Sequence, residues 1–305
     1  MSTLVLTKAP TRVRAIRRVG AGWTGYVFVL PALAVFAAFV LYPLCQTVWL
    51  SFYSWDGLTA RRWIGLANYK SLFTDPTLRS AFLHSAILVV FISLFPIALG
   101  LLLAAVLSYR KIRGLTFFRT VLFFPQVLPL VVVGVIWDWL YQPDGPINSL
   151  LHDIGLGFIA RAWLGDFTWA LPSVGIVGTW VTYGFAMVLF ISGVQKIPAT
   201  LYDAARVDGA GPIREFFAVT LPGLRGELIV AFTLTVIAAL RTFDVIYVTT
   251  LGGPGTSTTV PSLDIYQMAF EYNQVGAAAA VSVALALIIV VVTFAIIRRG
   301  DRGNT

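Results

Sequence analysis

The stretch SAFLHSAILVVFISLFPIALGLLLAAVLSY, residues 80–109, is thirty residues long and contains no Asp, Glu, Lys or Arg. A transmembrane helix needs about 20 predominantly apolar residues to cross a hydrocarbon core of about 30 Å. Four more windows have the same uncharged character, namely 19–55, 120–137, 167–195 and 272–297. A sixth window, 228–248, is equally apolar but contains Arg241 and Asp244. The pattern predicts an all-α integral membrane protein with six transmembrane helices.

The predicted helices have definite positions along the chain. They lie near 24–46, 82–107, 120–141, 171–194, 228–248 and 276–297. A transmembrane region at 24–297 would follow a basic segment at 1–23 and precede a tail at 298–305. Transmembrane helices tolerate Pro where neighbouring groups satisfy the freed carbonyls, so Pro125 and Pro129 are compatible with the third span.

Composition excludes several other classes of protein. The 305 residues are 58% hydrophobic and 12% charged, against about 25% charged in a typical soluble domain. A large soluble protein with buried helices is the alternative, but core helices usually run about 10–14 residues and keep a polar face. The single Cys45 excludes a disulfide framework. His84 and His152 are distant in sequence, and we predict no metal site.

The basic residues are distributed unevenly between the two sides of the predicted spans. With a cytoplasmic N-terminus, sixteen Lys or Arg lie in inner segments and five in outer ones. Inner loops of membrane proteins carry such an excess. We therefore expect a multi-pass protein of the cell (inner or plasma) membrane with both termini cytoplasmic. The net charge of +8 does not indicate nucleic-acid binding, because the charges border apolar segments instead of forming one patch.

The inner segment 196–225 is longer than a usual helix connection of about 2–8 residues. Residues 199–208 favour a helix, Gly209 and Gly211 interrupt it, and Pro212 suits the first turn of another. Pro222 is expected to end that second helix. Two short helices would then lie against the cytoplasmic face. Several charged side chains would be available to a partner: Asp203, Arg206, Asp208, Arg214 and Glu215. An amphipathic helix touching lipid headgroups is the alternative.

This segment resembles the "EAA" signature of the permease subunits of binding-protein-dependent ABC importers. The matching positions are Asp203, Ala204, Ala205, Asp208, Gly209, Ala210, Phe216 and Pro222. The resemblance implies a coupling helix that binds a groove of an ATP-hydrolysing subunit. The leading Glu of the family is Asp203 here, which is one methylene shorter where the family forms a salt bridge to the partner.

A second region, FDVIYVTTLGGPGTST at 243–258, resembles carbohydrate-type permeases of the maltose and glycerol-phosphate importer kind. The resemblance implies import of a sugar or related solute together with a second, similar permease, a cytoplasmic ATPase dimer and an extracytoplasmic solute-binding protein. ATP and Mg²⁺ would be bound by the ATPase. The chain itself contains no G-x(4)-G-K-[ST] phosphate loop, so we expect a non-catalytic subunit with no cofactor of its own.

Candidate residues for the solute pathway lie in the fourth and fifth spans. Arg241 and Asp244 are three residues apart, which would place them on one helical face about 20 Å into the fifth span. They either line the pathway, because charges at that depth normally face a cavity, or neutralise each other at the outer interface. Trp180, Tyr183 and Tyr247 could stack on sugar rings or could simply pack in the bundle.

The outer loop Gly252-Gly253-Pro254-Gly255 offers few side chains. It could allow close approach of the solute-binding protein, or it could be a plain turn. The main functional alternative is an ATP-independent secondary transporter, which would be expected to have inverted repeats and membrane-buried carboxylates. Only Asp244, and Asp138 near an outer end, approach that description. A membrane-embedded enzyme is a third class, but the predicted spans contain only His84 as a candidate histidine.

Overall fold

The computed structural model describes residues 24–109 and 114–301. The described residues divide into two compact units, 24–46 and 47–301 with a gap at 110–113. Helix α1 consists of Thr24–Phe36, a π turn at Ala37–Leu41 and the final piece Tyr42–Leu50. Its last four residues belong to the second unit. The predicted basic segment 1–23 lies outside the described residues.

After the end of α1, the second unit contains a short antiparallel hairpin, in which Tyr53 of β1 pairs with Trp63 of β2. This hairpin is a small departure from the all-α prediction. The elements up to the fourth span are β1 Tyr53–Ser54, β2 Arg62–Trp63, α2 Ala67–Thr74, α3 76–109, α4 Leu115–Val127, α5 Leu130–Leu140, α6 Pro146–Asp153, a 3₁₀ turn Gly157–Ile159 and α7 Ala170–Val194.

The remaining elements follow α7 in the same unit. They are α8 Ala199–Val207, α9 212–223, α10 Arg225–Leu240, α11 Asp244–Thr249, α12 Pro261–Tyr266 with a π turn Gln267–Glu271, and α13 Val275–Asp301. The last helix therefore extends four residues beyond the predicted end at 297, into the region expected to be a tail.

Five helices in the described chain are long and apolar enough to cross a membrane, and there are six if the bent pair α4 and α5 forms one span. The predicted all-α membrane fold is confirmed, but the helix predicted at 120–141 is not continuous, because α4 and α5 meet at 95°. Leu128 between them has an extended backbone (φ −71°, ψ 137°). The following Pro129 disfavours the helical conformation at the residue before it, which explains the break.

The fifth span is also interrupted. The apolar stretch Arg225–Thr249 is long enough to cross a membrane, but α10 ends at Leu240 and α11 begins only at Asp244. Phe243 has φ −139° and ψ −60°, outside the helical region. The predicted continuous helix at 228–248 is therefore wrong at 241–243, and this break positions the candidate pathway residues.

The helices pack most closely where small residues meet. A Cβ on Gly100 of α3 would lie 2.7 Å from the Ala186 Cβ and 2.8 Å from the Met187 backbone nitrogen of α7. Gly184 of α7 likewise approaches the backbone of α4 at Leu122. Small residues at such crossings let transmembrane helices approach backbone to backbone. Helix α7 is consequently the element around which α3 and α4 pack.

Candidate functional site

The first part of the segment 196–225 folds as predicted. Helix α8 ends at Val207, and Gly209 adopts a left-handed conformation (φ +76°). The Ala210 N–H donates to the Ala205 carbonyl at 2.9 Å, and the Gly209 N–H donates to the Arg206 carbonyl at 3.0 Å. This pair of hydrogen bonds is the Schellman motif, which satisfies the last carbonyls of a helix and favours Gly at the left-handed position. The chain reverses direction here because of that motif.

Helix α9 follows with Pro212 in its first turn. It continues through a π turn at Phe216–Thr220 and ends with Leu221–Gly223. Pro222 therefore lies in the last turn instead of after it, and the helix ends one residue later. Only Leu224 separates α9 from α10, so the second short helix leads almost directly into the fifth span.

An ion pair joins α8 to α9. The Arg206 Nε donates to the Glu215 Oε1 at 2.7 Å, and Glu215 is only 3% exposed. The Arg206 Nη1 also lies 3.5 Å from the Asp203 Oδ1. The expectation that Glu215 would be available to a partner is therefore wrong. Because a buried carboxylate needs a compensating charge, Arg206 fixes the relative position of the two short helices.

Further contacts hold this coupling segment, residues 196–225, to the ends of the spans. Lys196 after α7 forms an ion pair of 2.9 Å with Glu227 of α10. The Tyr202 and Thr220 hydroxyls lie 3.1 Å apart, which joins α8 to α9 a second time. A Cβ on Gly223 would lie 2.6 Å from the Ile197 side chain. The segment is thus tied to both α7 and α10.

Many side chains of the coupling segment are exposed. Val207 is 87% exposed and Ile213 is 76% exposed, although both are apolar. The motif positions that are also exposed are Asp203, Ala204, Asp208, Gly209, Arg214 and Pro222. Ala205, Ala210 and Phe216 are half-buried. A cavity of about 860 Å³ lies between the segment and the C-terminal half of α3.

The break in the fifth span separates Arg241 from Asp244. Arg241 is the exposed residue that follows α10, whereas Asp244 starts α11 and is half-buried. The two residues therefore do not share one helical face, and that prediction is wrong. Among the described side chains no ion pair joins them, so the structure gives no support to mutual neutralisation.

Tyr247 belongs to a group of four aromatic side chains beside this break, which we call the aromatic group. Its members are Phe243, Tyr247, Tyr266 and Phe270. The Tyr247 ring stacks on Phe243 with centroids 5.1 Å apart. Its hydroxyl lies 3.5 Å from that of Tyr266, whose ring in turn contacts Phe270 at 5.4 Å.

Sequence reasoning singled out only Tyr247 from the aromatic group as a pathway candidate. The signal for the others was present in the spacing, since 243 and 247, like 266 and 270, are four residues apart. Residues at that spacing share one face of a helix. What the spacing could not show is that the two pairs meet each other in the fold.

Trp180 and Tyr183 lie on α7 without joining the aromatic group. Trp180 packs edge to face on Trp137 of α5, with centroids 5.6 Å apart, and it contacts the hydrophobic core. Tyr183 is half-buried. Neither residue contacts Tyr247 through a ring pair among the described side chains. The Trp180 and Tyr247 rings do not pair, but both side chains pack against the same hydrophobic core.

The loop at 252–255 is held by hydrogen bonds to the residues on either side of it. The Thr258 hydroxyl donates to the Gly253 carbonyl at 2.8 Å and lies 2.7 Å from the Thr250 hydroxyl. Gly252 is buried with φ +90°, and a Cβ there would meet the Thr259 hydroxyl at 2.7 Å. Gly252 therefore has a packing role within the chain. Pro254 is half-buried, and Gly255 is exposed.

Comparison with known proteins covers both the coupling segment and the helix break. Residues 96–300 match the family described as the binding-protein-dependent transport system inner membrane component. The chain belongs to this family. The family consists of non-catalytic permease subunits of ABC transporters, so the chain is a multi-pass membrane protein of that kind.

Individual relatives agree with the family. Probable ABC transporter permease protein YurN of Bacillus subtilis is 40% identical over 258 residues, covering 84% of this chain and 88% of the relative. The diacetylchitobiose uptake system permease protein NgcF of Streptomyces coelicolor is 36% identical over 262 residues, covering 81% and 74%.

A solved bacterial ABC transporter for the import of alginate has the same fold as this chain. Its matching subunit superimposes with a TM-score of 0.79 at 22% sequence identity, covering 92% of this chain and 96% of that one.

Proposed function

We propose that this permease subunit imports a sugar or carbohydrate-derived solute and receives the energy of ATP hydrolysis through the coupling segment. The observation that carries the proposal is the geometry of that segment. It presents exposed apolar side chains at Val207 and Ile213, and it is fixed to two spans by Lys196–Glu227 and by its direct continuation into α10. The carbohydrate class is supported by the similarity to the diacetylchitobiose uptake system permease protein NgcF.

In this proposal the coupling segment transmits force as a rigid piece. A partner that pushed on its exposed face would move α8 and α9 together, because Arg206 and Glu215 join them. The movement would reach α7 through Lys196 and α10 through Leu224. Rigid-body movement of packed helices is an established way for proteins to switch between two states. The proposed partners are a cytoplasmic ATPase dimer that binds ATP and Mg²⁺, a second permease and an extracytoplasmic solute-binding protein.

The solute pathway is proposed to pass the break between α10 and α11. Interrupted transmembrane helices place free backbone groups and side chains at polar sites inside membranes. Arg241 and Asp244 provide charged groups at this break, and Tyr247 provides an aromatic face with a hydroxyl. Trp180 and Tyr183 on α7 are proposed to line the pathway at a second position. The exposed Gly255 and its neighbours Gly253 and Pro254 are proposed to contact the solute-binding protein.

Uptake into proteoliposomes tests the proposed function against a secondary transporter. The full chain would be reconstituted with its second permease, ATPase and solute-binding protein, and radiolabelled diacetylchitobiose and maltose would be offered as probes. We expect uptake of at least one probe only when ATP is present on the ATPase side, with no effect of collapsing the ion gradients. Uptake that proceeds without ATP and stops when the gradients collapse would support the secondary transporter instead.

Arg241→Met tests the pathway at the helix break. The substitution keeps a long side chain but removes the charge, and Arg241 is exposed, so assembly should be unchanged. We expect uptake to fall at least tenfold while the amount of complex recovered stays the same, since a lost charged hydrogen bond is worth about 1.5–3 kcal/mol. Lys70→Met, at another exposed cation, is the matched control. Unchanged uptake in the Arg241 variant would remove this residue from the pathway.

A further inference from the structure

A carboxyl group is buried in the helix that also carries Tyr266 of the aromatic group. Asp264 lies in the short helix α12 and is only 6% exposed. Its Oδ2 is buried and has no hydrogen-bond partner, and no ion pair reaches it among the described residues. A buried carboxylate without a compensating charge is strongly unfavourable, and the group avoids this cost by binding a proton.

Asp264 lies beside an apolar contact of helix α12. Its neighbour Ile265 packs with Leu78 of α3, Leu72 of α2 and Val281 of α13. Another buried oxygen without a hydrogen-bond partner, the Ser85 hydroxyl, lies on the buried face of α3. Helix α12 therefore packs against α3 and α13 partly through apolar contacts, and no ion pair of the described residues neutralises Asp264.

The charged and titratable groups on the surrounding elements do not offset a charge on Asp264. On α3 they are Arg79, which is exposed, and His84, which is bonded at Nδ1 to the Thr259 carbonyl at 2.8 Å. The α3 cap, Asp75, is itself an acid. The other groups include Lys70 and Tyr69 on α2, Asp244 and Tyr247 on α11, Glu271 in the π turn after α12, and Arg298 and Arg299 in the last turn of α13.

Burial of Asp264 favours its protonated form, as expected for a carboxyl group that has no compensating charge. Desolvation and, to a smaller extent, the neighbouring carboxylate of Asp75 together raise the pKa of Asp264 from its ordinary value of 3.8 to about 7. The group therefore changes its proton occupancy near neutral pH. A helix interface that changes charge in this range can respond to the pH of its surroundings.

Helix α12 also carries part of the aromatic group. Tyr266 is two residues beyond Asp264 and contacts Tyr247 and Phe243, with ring centroids 5.2 and 5.5 Å apart. The position of Tyr266 is therefore set by how α12 packs against α3 and α13. A change of charge at Asp264 would loosen that packing and move Tyr266 relative to the break in the fifth span.

We infer that Asp264 is a proton-binding positioning residue, which holds α12 in its interface when protonated and thereby keeps Tyr266 against Tyr247. When the proton leaves, the charged carboxylate draws water or solvent towards the interface, and the aromatic group opens. The consequence for solute binding rests on the proposed function, whereas the consequence for stability rests on the interface alone.

The sign of the pH dependence follows from linkage. Because the pKa of Asp264 is higher in the folded chain than in the unfolded chain, the folded state binds more protons between pH 4 and pH 7. Its contribution to stability is present below about pH 4, is lost as the pH rises towards 7, and does not change further above that. Asp264→Asn imitates the protonated group and should not show this loss.

The experiment measures both stability and transport. The assembled importer in lipid nanodiscs would be melted between pH 5 and pH 8, following unfolding of this chain, as wild type, Asp264→Asn and Asp264→Leu. Asp144→Asn, at an exposed acid, is the control. We expect the wild type and the control to lose stability relative to both Asp264 variants as the pH rises. Identical pH profiles for wild type and variants would overturn the inference, and the Leu variant decides the matter if the Asn variant does not fold.

The transport arm determines KM for solute in proteoliposomes with the same pH on both sides. If only the protonated form binds well, KM of the wild type rises about tenfold between pH 6 and pH 8, because the competent fraction falls by that factor. KM of Asp264→Asn should stay constant, while kcat follows the ATPase in both proteins. A parallel rise of KM in the variant would contradict the positioning role. Loss of ATP dependence would instead contradict the proposed function, without affecting the melting result.

Discussion

Replacing Val207 by Lys is expected to reduce ATP-driven uptake at least tenfold and to reduce recovery of the ATPase with the membrane subunits by a similar factor. Val207 is 87% exposed at the end of α8, beside the Schellman turn. An apolar side chain in that position contributes binding energy only when a partner covers it. A charge buried in the same contact costs more than about 1.4 kcal/mol, which is tenfold in affinity.

The choice of Lys keeps the local fold intact. A positive charge in the last turn of a helix is favourable because of the helix dipole, so α8 should not unwind. Leu58→Lys is the control, because Leu58 is 89% exposed in the segment between the β-strands and is predicted to lie on the opposite side of the membrane. Reduced ATPase recovery in the control and normal recovery in the Val207 variant would contradict the proposed contact.

Gly100→Leu is expected to prevent α3 and α7 from packing and to destabilise the folded chain by about 3 kcal/mol, the upper part of the usual range for overpacking. A Cβ at Gly100 would already lie 2.8 Å from the Met187 backbone nitrogen. Backbone atoms cannot rotate aside, so the two helices must separate. Thermal unfolding in nanodiscs and the yield of folded chain measure the effect.

Gly226→Leu is the matched control for this substitution. A Cβ at Gly226 of α10 meets nothing within 4 Å, so the same change should leave the melting temperature within the range of ordinary surface substitutions. If both variants melt alike, the tight crossing at Gly100 does not determine stability.

The sequence indicated the coupling segment well because its structure is local. Gly209 must adopt a left-handed conformation, and Pro212 suits the start of a helix, so the two short helices follow from neighbouring residues. The number of apolar spans was predictable for the same reason, since length and lack of charge decide it. The bend at Leu128–Pro129 was less accessible, because Pro in a membrane helix is compatible with both a mild kink and a complete break.

The features that could not be predicted from the sequence depend on contacts between different helices. Nothing local pairs Arg206 with Glu215 across the turn, so the burial of Glu215 could not be foreseen. The meeting of the pair Phe243 and Tyr247 with Tyr266 likewise requires the fold of α11 against α12. The interval from Arg241 to Asp244 suggested one helical face, and that inference failed because the helix stops between them.

Photo-crosslinking from position 207 in the assembled importer tests the central claim most directly. Val207 and, as a control, Leu58 would each be replaced by p-benzoylphenylalanine, and the membranes would be irradiated and examined for adducts of this chain with the ATPase. We predict an adduct with the ATPase from position 207 and none from position 58. An assembled, transport-competent complex that gives no ATPase adduct from position 207, or gives one from position 58, would contradict the assignment of residues 196–225 as the site where ATP hydrolysis drives the permease.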